Sequence, residues 1–463
     1  MEYEKCLLSR LPEDVQREVF TGKFSVVEKL IDRYLGMNIP ELLRNRLLYE
    51  KERIKRLRKD FPYTRKEAIA LLRENIAGFR DEEMDKLIEE GCIDRMYIDG
   101  EERFYVRFVH NVFFLNPEME RRRVKRNEER ENIRKIVNST IDRILEERKG
   151  RKYRVTAGIK LKIKGDEKGP FKVWLPFPKE IYPISDVRLV DAFPENFKIS
   201  ENSFEQRTIF FESESREYLV EFEYTIEERY TEVDVSMVSE DISGMDKYLS
   251  EKPPHILFTP YLRRLAEDIA GEERNLYLRA KKIYDWITKN IRYSYVREYS
   301  TYENIPEFVA TSFRGDCGMQ ALLFITLCRI SGIPARWQSG WFITPLKASP
   351  HDWAEFYIPP YGWLPADLSF GGARRNIDKY RAFYFGNLDA YRMIANTDIQ
   401  GNFTPPKKYL RSDPVDNQRG EAETEERNIY YDEMEYDMFV KKFEEFIVCK
   451  RIRLDLNSEK KLG

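Results

Sequence analysis

Residues 311–372 read TSFRGDCGMQALLFITLCRISGIPARWQSGWFITPLKASPHDWAEFYIPPYGWLPADLSFGG. Arg314, Gly315 and Asp316 predict a turn. The segment after Gln320, up to Ile330, is almost wholly apolar, which predicts a helix buried on most sides. Gly332 and Pro334 end it. Asp316 is the expected N-cap, and this places Cys317 in the first turn. Unpaired backbone N–H groups and the helix dipole favour an anion there. Both effects lower a thiol's pKa, although the Asp316 carboxylate works against them. Gly315 and Gly318 are expected to leave room for a substrate backbone beside the sulfur. Cys328 lies eleven residues further on, about 16 Å along the axis on nearly the same face, and reads as core filler. Free cysteines are commonly small buried hydrophobes, so the helix start alone does not make Cys317 a nucleophile.

The next strand adds the missing chemistry. In HDWAEFYI, residues 351–358, His351, Trp353, Glu355 and Tyr357 share one face, while Ala354, Phe356 and Ile358 lie on the other. Pro359, Pro360, Tyr361 and Gly362 predict a turn, and WLPADLS returns antiparallel with Trp363, Pro365 and Asp367 on a common face. A hairpin centred on Pro359 sets His351 opposite Asp367, with a bulge at Gly362 able to shift the register. A carboxylate across from an imidazole fixes its tautomer and stabilises the imidazolium. An imidazolium beside Cys317 would in turn stabilise a thiolate.

Upstream of this stretch, Thr259 before Pro260 predicts a helix start, and NLYLRAKKIYDWITKNI is amphipathic. Residues 151–235 are β-branched and aromatic with partial alternation, which predicts an antiparallel β-sandwich. Residues 1–117 read as helices followed by a hairpin at Asp99-Gly100, with a capping box at Thr64 and Glu67 and Gly91 as a helix stop. Residues 118–150 read as a linker helix, 236–410 as the unit that carries the chemistry, and 411–463 as a C-terminal extension holding a helix and a final strand. The fold class is therefore α+β and multidomain.

Composition excludes several function classes. Lys and Arg number 79 against 81 Asp and Glu, so no net field draws the chain to nucleic acid or anionic membrane. Helices followed by a hairpin permit a winged-helix, nucleic-acid-binding reading of residues 1–117. The basic run after it, MERRRVKRNEERENIRK, is interrupted by Glu120, Glu128, Glu129 and Glu131, which favours a solvated helix. The five cysteines are scattered, the three histidines lie far apart and no C-x-x-C occurs. Neither a disulfide framework nor a metal or other cofactor is expected. The sequence opens without a basic start and apolar core, and no run approaches the ~18 apolar residues of a membrane span. The expected compartment is the cytoplasm.

GDCGMQALLFITLCRISGIPAR followed by HDWAEFYIPPYGWLPADLSFGG resembles the transglutaminase-like superfamily of papain-type folds. Its pattern is G-x-C at a helix start, a helix ending in G-I-P-A-R, H-x-W-x-E on a strand, then G-W-x-P-x-D, and every element stands in this sequence. The resemblance extends over residues 255–405, and the preceding sandwich resembles the domain that often precedes this core in bacterial members. It implies Cys317 as nucleophile, His351 as base and Asp367 as orienting acid. The implied reaction is acyl transfer from a peptide or protein amide through a thioester, with an amine or water as acceptor. The acidic metal loops of calcium-dependent transglutaminases and the paired C-x-x-C sites of peptide N-glycanases are absent from the sequence.

The Cys317 backbone N–H is one expected oxyanion donor. Relatives carry a bulky aromatic donor upstream of the cysteine, and Tyr302 is the candidate here. Trp353 and Trp363 are expected to wall the cleft or to serve packing, and Glu355 to partner a backbone or arginine group. The competing readings are a scaffold that keeps the core without turnover, and a nucleic-acid-binding N-terminal module with an enzyme attached.

Overall fold

A computed structural model describes residues 6, 7, 9–125 and 127–446. The N-terminal helices Glu13–Phe20, Phe24–Leu35, Glu41–Asp60, Arg65–Asn75 and Glu82–Glu89 enclose their own hydrophobic core, which includes Val15, Phe24, Ile54, Leu72 and Phe108. The predicted capping box is present, with Thr64 accepting from Glu67 N and Glu67 accepting from Thr64 N. Asp99 and Gly100 turn the hairpin Arg95–Ile98 to Glu101–Phe104, both at positive φ, as a tight two-residue turn requires. A short strand, Tyr63–Thr64, completes a three-stranded sheet. Helices precede this hairpin, the order from which the sequence permitted a winged-helix reading. The helix Glu82–Glu89, however, carries Glu82, Glu83 and Asp85 in its first turn.

The unit rests on the rest of the chain through Glu41–Asp60. Arg46, Glu50, Arg53 and Arg56 on this helix are buried. Glu50 neutralises Arg46 and Arg53, while Arg53 and Arg56 donate to Thr301 O, Ser300 Oγ, Ser412 O and Arg411 O. Buried arginines are tolerable only when paired and hydrogen-bonded in this way.

Residues 152–227 form the predicted sandwich, but the tail completes it. Glu421–Glu423 pairs with Phe171–Pro176, and Met434–Glu445 pairs along Lys152–Ile163. The helix expected in YDMFVKKFEEF is therefore corrected: these residues form a long edge strand up to Glu445. Only an edge position tolerates its charged outward face, and the alternation of Met438 and Val440 suits a period of two. The final strand expected beyond it falls outside the described residues.

Four strands and one buried helix form the unit that carries the chemistry. Helix α1 (Cys317–Ile330) packs on β1 (Ala335–Ile343) and β2 (Ala348–Ile358), with β3 (Gly362–Ala366) beside β2 and β4 (Arg392–Asn396) on the far side of β1. Phe324 of α1 meets Phe356 of β2 edge-on at 5.8 Å. Gly340 of β1 lies opposite His351 and at a register shift against β4. A methyl group there would run into the Met393 carbonyl. Gly340→Ala should therefore destabilise the protein by about 1–3 kcal/mol, measured by denaturant unfolding. A wild-type midpoint would show that β4 is free to shift.

His255, wholly buried, is pushed down to about 3 by burial. Its folded pKa lies below the unfolded value near 6.5, so its contribution to stability is intact above that value and lost as pH falls toward 3. It should add up to about 1.4 kcal/mol of destabilisation per pH unit across that window. Unfolding free energies at pH 7, 5.5 and 4.5 should fall more steeply for the wild type than for His255→Phe. Equal slopes would remove His255 as the source.

Candidate active site

Asp316 caps α1 as expected, its Oδ1 accepting from Met319 N at 3.1 Å. Cys317 is thus the first residue of the helix and only partly buried, whereas Cys328 is completely buried in the apolar core. Burial pushes the Cys328 thiol well up.

His351 sits on β2 opposite Gly340. Its Nε2 lies 2.7 Å from Asp367 Oδ2. The β2–β3 register differs from the one the sequence suggested. Ala354 pairs with Ala366 and Ile358 with Gly362, which centres the hairpin on Pro360 rather than Pro359. Strand pairing ends at Ala354, so β2 has an open edge at residues 351–353. Asp367 leaves the strand there and caps the short helix Leu368–Gly372, accepting from Phe370 N at 3.0 Å. The cap, rather than cross-strand pairing, aims its carboxylate at the imidazole.

A second partner went unnoticed in the sequence. Arg392 on β4, with no exposed surface, donates to Asp367 Oδ2 through Nη2 at 2.8 Å and Nε at 3.1 Å. Its Nη1 bridges to Asp389 Oδ1 at 2.8 Å. Burial works to raise the Asp367 pKa, but His351 and Arg392 outweigh it and hold the carboxyl well below the usual range. Burial pulls the His351 pKa down while Asp367 pulls it up, with a net lowering. The resting imidazole is therefore neutral at neutral pH.

The thiol departs from the sequence reading. Cys317 makes no hydrogen bond to His351; Sγ lies 3.2 Å from Asp352 Oδ2. Burial, then the Asp352 and Asp316 carboxyls, push the Cys317 thiol well above its ordinary value. The helix-start lowering expected from the sequence is outweighed here.

The aromatic expectations divide. Trp353, buried, lies nearly parallel to the His351 ring at 5.9 Å, and Phe370 meets the imidazole at 4.9 Å. Trp363 pairs with Tyr357 near the other end of β2, packs on Tyr248 and lies under Arg336. It is a packing residue there, and not a wall beside Cys317. Tyr302 packs on Phe308 at 4.7 Å and under Arg297. The tyrosine at the helix start is instead Tyr299, whose hydroxyl donates to Asp316 Oδ1 at 2.6 Å and fills the space a Gly318 side chain would need. Gly318 thus makes room for Tyr299, Asp352 and Trp337 rather than for a substrate backbone. Glu355 accepts from Arg229, Arg336 and Gln338, the arginine partnership anticipated for it. Among the described residues, no group of three or more His, Cys, Asp or Glu is arranged to hold a metal ion.

A helix-start cysteine thus lies on a helix packed against a sheet whose strand β2 carries a histidine bonded to a buried, helix-capping aspartate. Residues 263–368 match the model of the transglutaminase-like superfamily. Among curated proteins, an uncharacterized Haemophilus influenzae protein is 22% identical over 294 residues, 51% of this chain and 77% of the relative. The Bacillus subtilis protein YebA is 24% identical over 158 residues, 30% of this chain and 21% of its own length. The chain thus spans about a fifth of YebA. A Cytophaga hutchinsonii crystal structure, provisionally designated a cysteine protease, aligns over 64% of this chain and 94% of its own, at 17% identity and a TM-score of 0.38. The periplasmic domain of TgpA from Pseudomonas aeruginosa aligns over 48% and 91%, at 13% identity and a TM-score of 0.27. Scores this low carry no argument about function.

Proposed function

We propose that the chain is a cysteine-dependent enzyme that transfers acyl groups from peptide or protein amides through a thioester on Cys317. In this reading the sulfur attacks the amide carbonyl carbon and its proton passes to His351 Nδ1. The same proton then goes to the departing amine. Asp367 accepts from Nε2–H throughout, so the tautomer with a lone pair on Nδ1 is fixed and the transient imidazolium is stabilised. The Cys317 backbone N–H, without an intrahelical partner at the helix start, is one donor for the developing oxyanion. Water or an amine then releases the acyl group.

The observation that carries the reading is the buried His351–Asp367 bond at 2.7 Å. It uses Nε2 and leaves Nδ1 uncommitted among the described residues. A scaffold has no chemical need for such a pair beside a helix-start thiol. The acidic helix Glu82–Glu89 also speaks against nucleic acid as the partner of the N-terminal unit. No helix among the described residues is long and apolar enough to cross a membrane.

The test is incubation with glutamine-containing peptides, with and without a labelled primary amine. Ammonia release with label uptake means transfer to amines, ammonia alone means deamidation, and new peptide termini mean proteolysis. Each should vanish in Cys317→Ala. Products that persist in that variant, or none from any peptide, would reject the reading.

A further inference from the structure

The residue after His351 is an aspartate, and it holds the sulfur. We propose that Asp352 is a fourth residue of the reacting centre, clamped by the segment 413–419 so that it keeps Cys317 as a protonated, hydrogen-bonded thiol at rest. Its significance for turnover rests on Cys317 being the nucleophile; the contact itself does not.

Three observations converge. The thiol bonds to Asp352 at 3.2 Å and to no group of the histidine–aspartate pair. Asp352 is fixed from the other side by the tail: Gln418 Nε2 donates both to Asp352 Oδ1 and, at 2.9 Å, to His351 O. Gln418 is itself held by Trp341 Nε1, which donates to its carbonyl at 2.8 Å. Finally, the Asp416 carboxyl is buried in the same cluster and, after burial itself, pushes Asp352 up. Gln418 and Asp416 lie beyond residues 263–368, the part matched by the superfamily, while Trp341 lies within it.

The electrostatics point the same way. Neighbouring buried carboxyls cannot all ionise readily. Burial and the neighbouring Asp416 and Asp316 carboxyls hold Asp352 well above the usual range. Asp316 faces the sulfur from the helix start and is pushed up to about 6 by burial. Asp413, from the tail, is pushed up to about 8 by burial and by Asp416. Arg419 and Arg411 offset part of this charge. Tyr299 and Tyr293 face the thiol from the loop and strand before the helix, and both stay neutral because burial raises them. Asp352 Oδ1 is taken by Gln418, and Oδ2, 3.2 Å from Sγ, is the oxygen placed to accept from the thiol. It takes the S–H hydrogen and offers nothing to S⁻. The Asp352 backbone N–H does favour the anion, but burial and the carboxyls outweigh it.

Activation then has a simple balance. The S–H bond breaks, the proton forms an N–H bond at His351 Nδ1, and Asp352 loses one accepted hydrogen bond.

The test is alkylation of Cys317 by iodoacetamide in the full-length protein between pH 5 and 10, followed by peptide mapping. The wild type should label slowly at neutral pH, with Cys328 protected. Asp352→Asn removes the competing carboxyl and should lower the apparent pKa by about one unit, which speeds labelling at pH 7 roughly tenfold. If that variant does not fold, Gln418→Ala, which frees Asp352 from the clamp, decides: labelling should quicken in the same direction. Unchanged or slower labelling of Cys317 in the folded variant, with Cys328 still protected, overturns the proposal. No substrate is needed, so the absence of a thioester would count against acyl transfer without bearing on Asp352.

Discussion

Asp367→Asn should still fold, at reduced stability because buried Arg392 loses a carboxylate partner, and turn over substrate at least a hundredfold more slowly. The amide has nearly the shape of the carboxylate, and its oxygen can still cap the helix at Phe370 N, so packing changes little. It can, however, present an N–H to His351 Nε2 where the carboxylate accepts one. That favours the tautomer with the proton on Nδ1, the atom that must take the thiol proton. It also removes the charge that stabilises the imidazolium. The equivalent change in a serine triad costs about 10⁴ in rate. A smaller loss is expected here because thiols need less help from the base. His351→Ala should be at least as severe, and the double variant no worse than the more damaged single one, since both act through one imidazole. Turnover of the three variants, with folding checked by thermal melting, measures this. Near wild-type turnover in a folded Asp367→Asn protein would reduce Asp367 to a helix cap.

Arg392→Leu should destabilise the protein by about 3–5 kcal/mol, the cost of leaving buried charges uncompensated. The guanidinium has no exposed surface and joins two carboxylates that have almost none, Asp367 and Asp389. Without it Asp389 keeps only the Tyr384 hydroxyl, at 2.9 Å, and the Tyr391 N–H. Asp367 keeps the imidazole and its cap bonds. The pH dependence follows from the same groups. Asp367 is held below its unfolded value, so its contribution is present above about pH 4 and is lost as pH falls through the folded pKa. With Arg392 gone the folded pKa rises, and acid unfolding should begin at higher pH. Arg392→Lys keeps the charge but cannot bridge both carboxylates, and should lie between the two. A Leu variant as stable as the wild type would mean that both carboxyls become neutral at little cost.

Local signals were legible where each residue type has one dominant physical reason. Asp316, Thr64 and Thr259 cap helices because their oxygens reach the orphan N–H groups. Asp99-Gly100 turns a hairpin because both positions need positive φ. The pairing of His351 with Asp367 was legible as well, since both fall near one hairpin, although the register was misplaced. The true turn is centred one residue later, and the cap at Leu368–Gly372 swings Asp367 toward the imidazole.

What escaped the sequence reading depends on distant chain segments. The helix Glu41–Asp60 buries Arg46, Glu50, Arg53 and Arg56, so its inner face lacks the apolar periodicity that marks a core-facing helix. Arg392 and Gln418 lie 25 and 51 residues after Asp367, and nothing local announces that either returns to the site. Asp352 was visible beside His351, but strand alternation assigned it to the face away from the histidine. That assignment was sound. What it lacked was the packing of α1 against that face, which brings the thiol to Asp352. The tail strand Met434–Glu445 was misread because its mixed charged and aromatic residues fit a period of 3.6 about as well as a period of two.

The central claim is that Cys317 becomes acylated. Intact-protein mass spectrometry after brief incubation with a peptide library and acid quenching tests it most directly. The account predicts a mass increase equal to an acyl group less one hydrogen, mapped to Cys317, released by hydroxylamine, accumulating when acceptor amines are withheld and absent from Cys317→Ala. A folded wild-type protein that never carries an adduct on Cys317, or that carries one on Cys92 or Cys328 instead, would contradict it.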